Sequence, residues 1–68
     1  MLLRVTEDNG TDDGIPAIIH VDKIAYIRSL GKVGKNALLL VIFDDGRELN
    51  IHGTRDEFFG RAIRLFES

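Results

Sequence analysis

Seven consecutive apolar residues, Ala37-Leu38-Leu39-Leu40-Val41-Ile42-Phe43, stand in a chain whose other apolar positions alternate with polar ones or fall in shorter runs. A strand with one wet face alternates, so an unbroken run predicts a strand buried on both sides. The β-branched Val41 and Ile42, and the Asp45-Gly46 that follows, favour a strand over a piece of buried helix. Asp-Gly predicts a type I′ hairpin turn, since Gly takes positive φ without a Cβ clash and Asp tolerates it. Glu48, Asn50 and His52 then alternate with Leu49 and Ile51, which predicts a strand with one polar and one apolar face.

Upstream, Leu2, Leu3 and Val5 read as a short strand, and residues 7–14 as a polar surface loop. The four carboxylates of that loop lack the alternate ligand spacing and helical flanks of an EF-hand calcium site, so they read as solvated. Pro16 belongs at a strand start or edge because it has no N–H for a ladder. A strand over 17–20, a bend at Asp22-Lys23 and a strand over 24–30 follow, then a Gly- and Lys-rich connection over 31–36.

Downstream, Thr54 and Glu57 form a capping box, and Asp56, Glu57, Arg61 and Arg64 suit the dipole of a C-terminal helix. Phe58, Phe59, Ala62, Ile63 and Phe66 make its apolar stripe, and Gly60 suggests a close approach to the sheet.

These elements predict an α+β fold: one domain over residues 1–68, with a small, mainly antiparallel β-sheet or partly open barrel of four to five strands and one C-terminal helix. One helix covers one face of such a sheet, while the 37–43 strand offers apolar residues to both. Either the first strand curls over to close a small barrel, or a second copy packs on the open face. A chain of 68 residues without Cys has a small core and no disulfide, which favours a homo-oligomer. Leu39, Val41 and Phe43 are the candidate interface.

A content of 44% hydrophobic and 29% charged residues is that of a globular protein. Residues 1–5 lack the profile of a signal peptide and no apolar run reaches a membrane span, so a cytoplasmic protein is expected, with no membrane partner. A net charge of −2 weighs against a dedicated polyanion binder. Locally, however, Arg28, Lys32 and Lys35 surround one loop, with Tyr26 available for stacking, and they are candidate nucleic-acid contacts together with Arg47. Arg61 and Arg64 form a second basic pair on the helix.

No catalytic constellation emerges. His20 and His52 lack a third metal ligand at a characteristic spacing. Ser29, Thr6, Thr11, Thr54, Ser68 and Tyr26 lack a nucleophile-elbow context, and Thr54 already serves as a cap. Asp44-Asp45 belongs to a turn, and the segment 31–34 lacks the Gly-Lys-Ser/Thr of a phosphate loop. The expectation is a non-enzyme without metal or cofactor.

From residue 19 to about residue 64, His20-Val21-Asp22-Lys23-Ile24-Ala25-Tyr26-Ile27, a Gly/Lys loop, an apolar strand, Asp45-Gly46-Arg47, a strand and a capped helix follow one another. This order resembles two bacterial groups. LytTR-type DNA-binding domains have a similar Asp-x-Ile-x-Tyr-Ile start and Asp-Gly hairpin, and small stand-alone proteins of the flagellar FlbD type have the same element order at nearly this length. The reading that follows is a bacterial or phage-like accessory or regulatory interaction module, homodimeric, which binds a macromolecular partner through its sheet. The alternative is a LytTR-like nucleic-acid binder using Arg28, Lys32, Lys35 and Arg47.

Overall fold

The computed structural model describes residues 1–67, and of Phe66 and Glu67 the backbone alone. Among the described residues, β1 (Leu2–Glu7), β2 (Ile15–His20), β3 (Ile24–Val33), β4 (Asn36–Phe43) and β5 (Glu48–His52) form one open antiparallel sheet, and α1 (Arg55–Glu67) follows. The strand order is β2-β1-β5-β4-β3.

The two edge strands, β2 and β3, are consecutive in the chain, joined by the single 3₁₀ turn Val21–Lys23. Four strand spacings across a flat sheet amount to about 19 Å. A 3₁₀ link from His20 to Ile24 reaches about 8 Å. The sheet therefore has to curl until its edges converge at that end. Hydrogen bonds hold the junction, from the Val21 N–H to the Met1 carbonyl at 2.9 Å and from the Asp44 N–H to the Lys23 carbonyl at 2.8 Å. β1 meets β5 at one pair, Glu7 opposite Ile51, so the β1–β2 hairpin swings away from the β3–β4–β5 meander and folds over it.

The concave side holds the core. Leu3, Val5 and Ile19 from the hairpin meet Leu39, Val41 and Ile51 from the meander, and Phe58 and Ala62 of α1 close the space between them. Leu39 and Val41 are 0% exposed. The odd positions of β4 thus face inward, while Leu40 and Ile42 face outward and are only half-buried.

Both hairpins depart from expectation. β3 runs on to Val33 and turns at Gly34-Lys35, because bulges at Ala25 and Leu30 absorb one residue each and carry the strand past Gly31. At the other end of β4 the turn is centred on Asp44-Asp45. Gly46 donates to the Phe43 carbonyl at 2.9 Å and alone in this turn has positive φ, 90°. This is a type I turn with a glycine bulge, not type I′ at Asp45-Gly46. Asp45 decides it: its carboxylate accepts from the Arg47 N–H at 3.0 Å and from Arg47 Nε at 2.8 Å.

Thr54 caps α1, accepting from the Glu57 N–H at 3.2 Å and donating to Glu57 Oε1 at 3.1 Å. The helix is narrower than its predicted stripe. Phe58 and Ala62 are buried with Leu65 packed beside them, whereas Phe59 is 62% exposed, and the Phe66 side chain lies outside the described residues. Gly60 marks no close approach, since a Cβ there would meet nothing within 4 Å.

Gly14 is the tightest glycine. Its φ is +65°, and a Cβ would lie 2.5 Å from Thr6 Cγ2 and 2.7 Å from the Glu7 carbonyl oxygen. Gly14→Ala is expected to lower stability in urea by about 2–4 kcal/mol, against about 1 kcal/mol for Gly46→Ala, where strain acts without a clash. Equal effects would show that the Gly14 contact is not tight. The Arg47 backbone N–H, with the Arg47 guanidinium behind it, holds the Asp45 carboxyl below its ordinary 3.8. A carboxyl depressed in the folded state stabilises above the unfolded pKa and loses that effect as pH falls through the folded one. The stability gap between wild type and Asp45→Ala is expected to be constant above about pH 5 and to close below the ordinary carboxylate pKa of roughly 4, as read from denaturation midpoints.

Candidate functional site

The residues singled out from the sequence fall in several places. Leu39 and Val41 lie wholly inside the core and have no surface to offer a second copy. Phe43 packs against the core and lines a cleft beside Ala17 and Leu49. The parity of β4 is the reason: the curled hairpin and α1 cover the odd side, so the apolar side left to water is the even one. That correction could not be read from a run in which both parities are apolar.

The basic residues do not converge. Arg28 projects from the outer face opposite Leu40, whereas Lys32 lies opposite Ala37 on the inner side. Lys35 Nζ sits 3.9 Å from Asp12 Oδ2, and Arg47 is held by Asp45. Lys35 and Arg47 occupy opposite ends of β4, about 24 Å apart for a strand of that length. Tyr26 and Arg28 do share the outer face, and both are exposed.

The acidic loop has a structural task. His52 was expected on a wet face, yet its side chain is 10% exposed and its Nε2 lies 3.1 Å from Asp8 Oδ1. Gly14 packs against the same imidazole. At the other end of the loop, Asn36 Nδ2 donates to the Asp12 carbonyl at 2.9 Å. Between these anchors lies Leu38, directly opposite His52 on the outer side of the sheet and buried. The loop therefore closes one end of the outer face. His20 is exposed at the far end of β2, and among the described residues no group of three or more His, Cys, Asp or Glu could hold a metal ion. Ser68 lies outside the described residues.

Among the described residues, two open apolar surfaces adjoin β3 and β4, besides the exposed Leu2 and Ile18 on the β1–β2 hairpin. On the outer face, Tyr26 stands directly opposite Ile42, with Leu40 one step along, and this apolar stripe has Arg28 on its β3 side and Glu48 on its β5 side. On the inner side, between β3 and α1, a cavity of about 420 Å³ is lined by Val21, Ile24, Ile27, Phe58 and Phe59, with Arg55 at its rim. No helix of the described residues is long and apolar enough to cross a membrane. Comparison with protein-family models, with curated proteins and with solved structures gives no match.

Asp8→Ala is expected to cost about 1–3 kcal/mol, because it leaves a largely buried imidazole without its partner. It should also speed amide exchange at Leu38 and in the 8–14 loop. Unchanged exchange there would show that the His52 contact does not hold the loop down.

Proposed function

We propose that the protein is a small non-enzymatic interaction module, an accessory or regulatory protein that works as a homodimer and binds another macromolecule. The carrying observation is the outer face of β4, where Leu40, Ile42 and Tyr26 form an apolar stripe that neither α1 nor the 8–14 loop covers. Solvent-facing apolar stripes on a sheet are stabilised by packing against a second sheet about 10 Å away. The flanking charges make the stripe self-complementary. A two-fold axis parallel to β4 carries the β3 side of one copy over the β5 side of the other, which sets Arg28 against the partner copy's Glu48. A core of this size without disulfides also gains stability from association.

The likeness to small FlbD-type proteins supports a stand-alone bacterial accessory role, and the absence of cysteine suits the reducing cytoplasm. The spread of Arg28, Lys32, Lys35 and Arg47, two of them already paired with carboxylates, gives the nucleic-acid reading less support than the apolar stripe gives this one.

Sedimentation at high micromolar concentration is expected to give twice the chain mass for the wild type and the single mass for Ile42→Asp. Arg28→Glu should weaken the dimer by about fivefold, roughly 1 kcal/mol, and Arg28→Glu with Glu48→Arg should restore it. A wild type that sediments as a monomer would remove the dimer from this reading.

A further inference from the structure

β3 is the last strand of the sheet, and its outer edge is free. Apart from the Ile24 N–H, which donates to the Val21 carbonyl, no backbone hydrogen bond outside the β4 ladder reaches residues 24–33 among the described residues. A row of unpaired N–H and C=O groups is a template for another extended chain. β2, the opposite edge, is a poorer template, being shorter and carrying Pro16 without an N–H to donate. Within β3 the bulges at Ala25 and Leu30 leave residues 26–29 as a regular stretch, so the template is short.

An apolar groove adjoins this stretch. Ile24 and Ile27 form one wall and Phe58 and Phe59 the other, and Phe59 is more than half exposed. In a strand added to β3, alternate side chains point to the helix side and would enter the groove beside Ile27. The remaining side chains would meet Arg28 on the outer face. Arg28, Lys32 and Arg55 have no ion-pair partner among the described residues, in a chain whose net charge is −2. Asp56 shares a small hollow with Ser29 and Arg55 and so offsets one of these three cations.

We propose that this edge and groove dock a short extended segment of another protein, added as a sixth strand, with apolar side chains toward the groove and acidic ones toward Arg28 on the outer face. The occupant is not a second copy. Antiparallel pairing of residues 26–29 with themselves would set the two Arg28 side chains directly opposite or diagonal to each other on the outer face, and like charges at that distance repel. The inference names the partner's chemistry for the interaction-module reading and so rests on it, but it does not depend on the dimer.

The probe is a short fluorescein-labelled peptide of alternating Glu and Val, followed by fluorescence anisotropy and amide exchange with both wild type and Ile42→Asp. Binding to both proteins is expected, tighter to Ile42→Asp, where Arg28 is free of the partner copy's Glu48, with exchange slowed at residues 26–29. Phe59→Ser, at an exposed position outside the dimer stripe, should weaken it about tenfold. A peptide with Lys for Glu should bind at least tenfold more weakly, and one with a central Pro should not bind. Three results would each overturn the proposal: no binding to either protein, equal binding of the Lys peptide, or β3 amides that become protected on raising protein concentration alone. The first, combined with an intact wild-type dimer, would sink the docking site and leave self-association standing.

Discussion

Three residues, Val21–Lys23, join the two outermost strands of a five-stranded sheet, and much of the architecture depends on that short covalent link. A flat sheet would hold those strands too far apart for a 3₁₀ turn to bridge, so the β1–β2 hairpin must fold over the β3–β4–β5 meander. The fold creates a concave side on which Leu3, Val5 and Ile19 meet Leu39, Val41 and Ile51, and α1 needs only Phe58, Ala62 and Leu65 to complete it. A sheet of this size, left flat under one helix, would have exposed much of that surface. Curling is how a short chain without disulfides obtains a continuous core.

The same curl assigns meaning to alternate positions on β4. Side chains two apart share a face, so enclosing Leu39 and Val41 obliges Leu40 and Ile42 to point out. At one end of that outer face the 8–14 loop lies over Leu38, held by His52 and Asn36. At the other end no such cover exists, and Tyr26 extends the apolar stripe. The link that closes the core therefore also determines which apolar surface is left to water.

Charge is divided in a similar way. Asp8, Asp12 and Asp45 are engaged with His52, Lys35 and Arg47, where they hold a loop and a turn. Among the described residues, Arg28, Lys32 and Arg55 have no such partners and lie along the edge strand β3 and the helix start beside it. A chain that is acidic in sum can thus present a basic edge. The quantity that matters for recognition is the charge left unpaired at a surface, and net charge does not report it.

Much of this was legible in the sequence because it depends on neighbours in the chain. Hydrophobic period, turn residues and the Thr54–Glu57 cap act over a few residues, and they determined the order of strands and helix, the bend at Asp22-Lys23 and the antiparallel α+β class. Even the hairpin was placed correctly, although a local contact between Asp45 and Arg47 changed its turn type. Contacts between residues distant in the chain decided the rest. The parity that hides Leu39 and Val41 follows from the meeting of β2 and β3, and the burial of His52 follows from an aspartate 44 residues away. Phe59 and Phe58 are adjacent and chemically alike, yet helix rotation against the curled sheet buries one and exposes the other. Local pattern determined what each segment is; only tertiary packing decided which side of it meets water, because a side chain's surroundings are supplied by segments its own sequence does not contain.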